Sequence, residues 1–289
     1  MAKRRNKAQR WSPQDLPYQV DLFIEESWRM GGGGFIIDQL ARDSHITWVN
    51  SDLVKLITTT ASTMPDWVPA QVMTNSGFMA FSTPLLNDEH SEPVDALMWG
   101  VEKTPDGRDL HLFLLSRPDH TPGIIQNPNA PFGLVDHFVM DSQSAYSLQN
   151  NNRGTASNQP SRLIGTALLL ANQPDIVTEL TDESVTLPAK RRPLRRSTPN
   201  EHKTQLPDVK VRYLTVLPRV REDVDASEAE HAGLQRGALT QRHWVRGHWR
   251  QQPCGPGRTQ IKPVYIKPHL RGPDDTPIDD RPSVNRMDR

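Results

Sequence analysis

The sequence has little cysteine and no long hydrophobic run, and each absence excludes a class of protein. Cys254 is the single cysteine, so the chain can form no internal disulfide and no thiolate cluster for zinc. No apolar run reaches the ~18 residues of a membrane-spanning helix, and no hydrophobic region follows the basic start MAKRRNKAQRW to make a signal peptide. These absences predict a cytoplasmic protein with no membrane contact, no metal and no cofactor.

Apolar side chains are also scarce, because they make up 35% of the chain, and 25 of its 289 residues are proline. Compact domains contain about 45 to 50% apolar residues, so we expect a substantial part of the chain to be loop or tail. The rest is sufficient for one large hydrophobic core or two small ones.

Acidic side chains are missing from one long segment, although the net charge of the whole chain is zero. Residues 11–150 carry 18 acidic and 6 basic side chains, whereas residues 231–273 carry eight basic side chains, four histidines and no acid. Two interpretations are open, since charge describes partners more than folds. The basic segment binds a polyanion, or it docks against the acidic half of the same chain.

Hydrophobic periodicity predicts one helix in the first part of the acidic section. The four glycines of GGGGF are followed by no Lys, so they indicate a bend between two short elements and not a phosphate-binding loop. The stretch ITWVNSDLVKLITTTAS has the apolar spacing of one helix face from Val49 to Ile57, with Asn50 or Ser51 as its cap.

Period-two alternation then predicts a meander of antiparallel strands. The stretches VDALMWGVE and LHLFLLS flank a turn at Pro105, Asp106 and Gly107, and GLVDHFVMD at 133–141 adds another strand. The polar stretch QSAYSLQNNNRGTASNQP that follows is typical of an exposed loop.

Helical character returns near 161–173, where apolar residues form a broad stripe that ends at Pro174. The run at 190–196 holds five cations around a proline, which is typical of a solvated linker, with a phosphate contact as the alternative. The stretch PDVKVRYLTV alternates as a half-buried strand.

These elements predict an α+β fold in six segments. They are a disordered basic arm (1–14), an acidic section of mixed helix and antiparallel sheet (15–145), a polar loop (146–160), a helix with a basic linker (161–204), a basic antiparallel β unit (205–273) and a disordered tail (274–289).

The stretch RHWVRGHWR, residues 242–250, combines three arginines, two histidines and two tryptophans without an acid. If it forms one strand, Trp249 lies on the face toward the core. Alternation places the other face's residues together, and these are Arg242, Trp244, Arg246, His248 and Arg250.

A second strand in KPVYIKPHLRG completes this predicted face. Alternation separates Val264 and Ile266, which we expect to be buried, from an exposed Tyr265, and the prolines of this stretch indicate an edge position. The predicted nucleic-acid-binding residues are Arg242, Trp244, Arg246, His248, Arg250, Tyr265, Lys267, His269 and Arg271.

Three interpretations of this basic aromatic face are open. Arginine forks match phosphate oxygens and aromatic rings stack on bases, which indicates nucleic-acid binding. His248 and His269 could act as base and acid on an RNA 2′-hydroxyl and leaving oxygen while Arg246 stabilises the phosphorane, which would make a metal-independent ribonuclease or toxin. Arginine and tryptophan also pack together in ordinary folds, so a structural role is the third interpretation.

The segment RHWVRGHWR followed by VYIKPHLRGPDD resembles the C-terminal signature of an uncharacterised protein family of actinobacteria and their phages and plasmids. The resemblance covers roughly residues 160–278 and includes the stretches LLLANQP and KRRPLRR, while QQPCGPGR replaces a family loop that contains Trp and Tyr. It implies a link with mobile genetic elements and transfers no established activity.

The sequence therefore predicts a nucleic-acid-binding protein of a mobile genetic element or its host. The alternative from another class is a phage or plasmid accessory scaffold protein, whose acidic section binds a basic protein partner. The choice between RNA and DNA, the oligomeric state and the presence of enzymatic activity stay open.

Overall fold

The structure, a computed structural model, describes residues 11–29, 34–43, 45–69, 76–85, 92–105, 107–121, 130–141, 159–179, 194–195, 203–204, 211–217 and 242–273. Helices and a large sheet in these ranges confirm the predicted α+β class. Among the described residues, no helix is long and apolar enough to cross a membrane. The helices are α1 (Leu16–Arg29), α2 (Phe35–Asp43), α3 (Ser51–Thr60) and α4 (Gln159–Ala171).

The strands are β1 (His45–Val49), β2 (Ser76–Phe81), β3 (Ala96–Thr104), β4 (Gly107–Ser116), β5 (Gly133–Asp141), β6 (Val177–Glu179), β7 (Leu194–Arg195), β8 (Lys203–Thr204), β9 (Arg212–Val216), β10 (His243–Val245), β11 (His248–Cys254), β12 (Gln260–Ile266) and β13 (His269–Arg271). Several predictions fall outside the described residues. They concern the basic arm before residue 11, the first three glycines of GGGGF, Asp106, the polar loop up to residue 158, the side chains of the basic run at 190–196 and the tail after residue 273.

Seven strands form one mixed sheet in the order β5-β4-β3-β2-β1-β9-β6. The strands β2 to β5 pair antiparallel and confirm the predicted meander. The strand β1 is parallel to both of its neighbours, β2 and β9. The sheet is therefore antiparallel at the β5 side and partly parallel at its centre.

The strand β9 lies in this sheet and not in the basic β unit to which its position in the sequence assigned it. Its buried Leu214 pairs with the buried Val49 of β1. Both side chains belong to the same hydrophobic core, so burial beside β1 determines where this strand packs.

Helices cover both faces of the sheet. The helices α1 and α2 pack on one face, with the fully buried Ile24 and Leu40 in their core. The helices α3 and α4 pack on the other face, with Leu53 and Leu170 fully buried. Each such side chain contributes about 1.5 to 3 kcal/mol when it leaves water, so the helix layers are firmly attached to the sheet.

The helix α3 begins where the sequence predicts, but its first apolar residue belongs to a strand. Asn50 caps the helix because its Oδ1 accepts a hydrogen bond from the Leu53 N–H at 2.9 Å. Val49 ends β1, so its predicted place on the helix face is wrong. Residues 46–49 are all buried, and a strand buried on both faces shows no alternation that separates it from a helix.

The remaining helix and strands follow the sequence closely. The turn between β3 and β4 lies at the predicted position, with Gly107 at φ +150°, and β5 has the predicted bounds. The helix α4 begins two residues earlier than predicted. Gly165 in α4 is required by close packing, because a Cβ at this position would lie 2.5 Å from Cε2 of Trp67.

Candidate functional site

The basic residues of the C-terminal part lie on a two-stranded antiparallel ribbon. The pairs β10–β13 and β11–β12 share one register, which residues 246–247 and 267–268 interrupt. We call residues 242–271 the basic ribbon. The predicted continuous strand through RHWVRGHWR is therefore wrong, because Pro268 has no N–H to continue the ladder and Gly247 lies tightly against the Tyr265 side chain.

The inner face of the basic ribbon is docked on α3 and α4 through one aromatic pair. Trp249 and Tyr265 are register partners whose ring centroids lie 5.4 Å apart. The indole N–H of Trp249 donates to the carbonyl of Thr60 at 3.1 Å, and the backbone N–H of Tyr265 donates to Oε1 of Gln173 at 3.3 Å. These contacts hold the middle of the ribbon on the hydrophobic core, as expected for Trp249.

Tyr265 corrects the predicted face. It is 6% exposed and belongs to the core, whereas Val264 and Ile266 are only half-buried. Both faces of the strand are apolar in the stretch PVYI, so alternation alone does not decide which face is buried. The tyrosine face packs on the core because the aromatic ring buries more apolar surface beside Trp249. Tyr265 is therefore removed from the set of residues that could contact nucleic acid.

The other predicted residues lie mainly on the solvent side of the ribbon. Their side chains fall into two groups by exposure. Exposed residues are Arg246, His248, Arg250, Lys267 and Arg271, half-buried residues are Arg242 and His269, and the side chain of Trp244 lies outside those described. The exposed cations lie on the strands of the ribbon and also at the interruption between its two strand pairs. The ribbon therefore presents positive charge along most of its length.

Acidic residues of the N-terminal half do not neutralise these exposed arginines within the described part of the chain. Ion pairs there join side chains of the acidic section to one another, as in Arg29 with Glu26 at 3.0 Å. None of them includes Arg246, Arg250 or Arg271. Where the structure describes it, the outer ribbon surface is thus available to an anion.

The two histidines predicted as a catalytic pair lie in different strand pairs. The Nδ1 atom of His248 lies 3.1 Å from the carbonyl of Arg246, and that of His269 lies 3.2 Å from the carbonyl of Lys267. A neutral ring with this hydrogen bond leaves Nε2 as an acceptor. Each contact is local, and the described hydrogen bonds do not join the two rings. Their catalytic role stays a prediction.

Two further cations of the acid-free segment lie on the ribbon outside the predicted set of nucleic-acid-binding residues. Lys262 pairs with Gln252 in the ribbon, and Arg258 lies in the exposed turn that joins β11 to β12. Both were counted in the acid-free segment. Alternation addresses strands only, so it gave no position for a cation in the turn.

A buried carboxylate organises one turn of the acidic section. Asp95 is fully buried and accepts from the backbone N–H of Arg117 at 2.8 Å. Its carboxylate also lies 2.9 Å from Nδ1 of His120 and 3.3 Å from Oγ of Ser116. Since each partner belongs to residues 116–121, this carboxylate stabilises the turn that follows β4.

A histidine pair lies on the outer strands of the sheet. Nδ1 of His111 lies 3.2 Å from Nε2 of His137, and Nε2 of His111 lies 3.0 Å from Oε2 of Glu102. Burial lowers the pKa of His137, the nearby His111 lowers it further, and Asp136 opposes both. Among the described residues, no group of three or more His, Cys, Asp or Glu side chains is arranged to hold a metal ion.

Comparison with known proteins gives one family. Residues 42–272 match the model of the AcrVA2-like family, described as the anti-CRISPR type V subtype A2 family. The crystal structure of AcrVA2 aligns over 90% of this chain and 88% of its own, at 10% identity and a TM-score of 0.37, which is too low to equate the two folds. No curated protein matches the chain.

Proposed function

We propose that this chain, which belongs to the AcrVA2-like family of anti-CRISPR type V subtype A2 proteins, inhibits a type V CRISPR system. We further propose that its basic ribbon contacts a nucleic acid of that system. The family match supports the first statement, because it extends over most of the chain. A place on a phage or plasmid, which the C-terminal signature implies, agrees with such a role.

One observation supports the nucleic-acid contact above the others. Exposed arginines follow one side of a ribbon that is anchored to the core, and no described carboxylate pairs with Arg246, Arg250 or Arg271. Arginine is well suited to phosphate because its planar fork donates two parallel hydrogen bonds. Arginines held on a fixed ribbon bind a charged backbone more tightly than arginines on a flexible tail, because a fixed segment loses less conformational entropy on binding.

A binding experiment tests the contact. Fluorescence anisotropy with labelled single-stranded RNA and duplex DNA, repeated over a salt gradient, measures affinity and its salt dependence. Each phosphate contact contributes about 0.7 to 0.9 to the log–log slope. The double substitution Arg246→Ala with Arg250→Ala should therefore lower the slope by about 1.4 to 1.8. The matched control is Lys55→Ala with Lys103→Ala, which removes the same charge from exposed positions of the acidic section.

An assay in cells tests the inhibition. In bacteria that carry a type V CRISPR system, expression of the chain should restore survival of a targeted plasmid, measured as transformation efficiency. The double arginine variant should restore less than the double lysine control. An inactive wild-type chain would refute the inhibition itself. Equal activity of all variants, with unchanged anisotropy, would refute only the role of the ribbon.

A second candidate contact, with a protein, is favoured by the outer edge of the sheet. Among the described residues, no strand pairs with the outer side of β5. Leu134 and Val139 on this strand are 51% and 54% exposed, and Asp136 beside them is exposed too. An extended basic segment could add to such an edge as a further strand, which matches the predicted protein partner of the acidic section.

Gel filtration with a purified type V effector protein tests this candidate. The substitutions Leu134→Lys and Val139→Lys should abolish co-elution, because they replace apolar contacts with charges that repel a basic segment. The control is Phe35→Lys, which changes an equally exposed apolar residue on α2. Co-elution that survives the double substitution would exclude the β5 edge.

A further inference from the structure

The end of the basic ribbon projects from the rest of the molecule. In residues 251–261, which we call the ribbon tip, every residue is exposed except the half-buried Cys254. Gln251 is exposed although it pairs with the buried Pro263, and Ile261 is 53% exposed. Both faces of the two strands are therefore exposed to solvent in this segment. The ribbon tip extends past the helices that cover the inner face of the rest of the ribbon.

The apex of the ribbon tip holds an arginine in a backbone conformation that favours glycine. Arg258 has φ +57°, the one positive value found outside glycine in the described residues, and Gly255 and Gly257 beside it are also positive. Left-handed backbone is unfavourable for a residue with a Cβ. Glycine would relieve this strain, so the position of the guanidinium at the apex points to a use for the side chain.

The other polar side chains of the ribbon tip are three amides and the hydroxyl of Thr259, which donates to the carbonyl of Pro256 at 3.2 Å. Gln251, Gln252 and Gln260 are exposed, and Oε1 of Gln252 accepts from Nη2 of Arg250 at 3.0 Å. The segment contains no acid. Arginine is among the side chains that form paired hydrogen bonds with the base edge of guanine, and glutamine is among those that do so with adenine.

The shape of the ribbon tip discriminates between kinds of nucleic acid. Two strands lie about 4.8 Å apart, and the major groove of B-form DNA, about 12 Å wide, admits a two-stranded ribbon. The major groove of A-form RNA is too narrow and deep for side chains to reach the bases. Single strands are bound by stacking on aromatic rings, and the described aromatic rings of the ribbon, Trp249 and Tyr265, face the core.

We infer that the ribbon tip enters the major groove of duplex DNA, where Arg258 and the neighbouring glutamines contact base edges. The inference rests on the proposed nucleic-acid contact of the basic ribbon. In this arrangement Arg246 and Arg250 bind the phosphates beside the groove, and the tip supplies the preference for DNA. The substrate of the site is then duplex DNA and not duplex RNA.

Anisotropy with three probes tests the inference. The probes are a short DNA duplex, the RNA duplex of the same sequence, and the DNA duplex with 7-deazaguanine, which lacks the N7 acceptor of the major groove. The wild-type chain should bind the DNA duplex about tenfold more tightly than the RNA duplex. The chain should bind the 7-deazaguanine duplex with an affinity close to its affinity for the RNA duplex.

Variants at the apex separate base contact from charge. Arg258→Lys keeps the charge and loses the fork, so it should keep the salt dependence and lose the preference for DNA. Arg258→Gly removes the side chain and should not lower the melting temperature, because it relieves the left-handed strain. This second variant shows that a loss of preference is not a loss of folding.

The outcomes distinguish the inference from the function on which it rests. Equal affinity for DNA and RNA duplexes, with no effect of 7-deazaguanine, overturns the inference while the phosphate contact stands. An equal loss on all three probes with Arg258→Lys overturns it too, because the residue then acts only on the backbone. If none of these probes binds and labelled single-stranded RNA does not bind either, the proposed nucleic-acid contact fails as well.

Discussion

Gly247 lies directly against the buried side chain of Tyr265, on the opposite strand of the basic ribbon. A Cβ at this position would lie 2.1 Å from Oη of Tyr265 and 2.9 Å from Cδ of Pro268. Neither neighbour can move freely, since the tyrosine ring packs edge-on against Trp249 and the proline ring is rigid. The substitution Gly247→Ala should therefore lower the free energy of unfolding by about 1 to 3 kcal/mol.

Urea denaturation measures this loss, and Gly34→Ala is its control because no atom lies within 4 Å of the added methyl there. Equal midpoints for the two variants would show that the ribbon tolerates a side chain at residue 247.

His137 makes the stability of the acidic section depend on pH. Burial and the neighbouring His111 lower the pKa of His137 below its ordinary value of 6.5. In the unfolded chain this histidine binds its proton at a higher pH than in the folded protein. Stability from this group is therefore complete above pH 6.5 and is lost as the pH falls from 6.5 toward the lower folded pKa.

The substitution His137→Gln removes the titration and should flatten this part of the curve. Chemical denaturation at a series of pH values measures the slope for both chains. The same slope in the variant would assign the pH dependence to other groups.

The exposure of individual ribbon residues was predictable from the sequence only where it depends on the residue type and its neighbours in the strand. Arg246, His248 and Arg250 are exposed as predicted, because hydrated cations avoid burial in any packing. Tyr265 was placed wrongly. Its backbone binds Gln173 and its ring packs on Trp249, which binds Thr60, and both Gln173 and Thr60 are remote from the ribbon in the sequence.

At the scale of elements, the attachment of the ribbon depends on the Trp249 side chain. The substitution Trp249→Phe keeps an aromatic ring against Tyr265 but removes the hydrogen bond to the Thr60 carbonyl. A bond of this kind is worth about 0.5 to 1.5 kcal/mol, so the ribbon should open locally more often. Hydrogen exchange should show faster exchange of ribbon amides while the amides of the sheet keep their protection.

The matched control is Trp11→Phe, which removes an equivalent indole bond, to the carbonyl of Phe81 at 2.8 Å. It should leave exchange in the ribbon unchanged. If Trp249→Phe accelerates exchange throughout the sheet, the ribbon is part of the cooperative core.

Elements with a clear period were predictable, and elements buried on both faces were not. The strand β5 has its predicted bounds because apolar, β-branched and aromatic residues are concentrated between Gly133 and Asp141. The strand β1 was not predicted and its last residue, Val49, was assigned to a helix face, since residues 46–49 are buried without alternation. The strand β9 was recognised, but its partner was not, because parallel pairing to β1 joins segments that no local pattern connects.

For the whole molecule, the separation of charge predicts association at low salt. The chain has no net charge and a pI near 7.2, so copies repel each other little near neutral pH. The acidic section of one copy then attracts the basic ribbon of another. Light scattering near pH 7 should show association that disappears as salt shortens the Debye length from ~30 Å at 0.01 M to ~8 Å at 0.15 M.

The double substitution Arg246→Ala with Arg250→Ala should reduce this association. Scattering that is unchanged in the variant would place the attraction elsewhere on the surface.

The position of β1 has a consequence for how the chain folds as it is synthesised. This strand lies between β2 and β9, and Nδ2 of Asn50 donates to Oγ1 of Thr215 at 2.6 Å across 165 residues of sequence. A ribosome that adds 5 to 20 residues per second needs about 8 to 30 s to supply the missing neighbour. Throughout that interval one side of β1 lacks its partner strand, so we expect the nascent chain to bind chaperones until β9 is made.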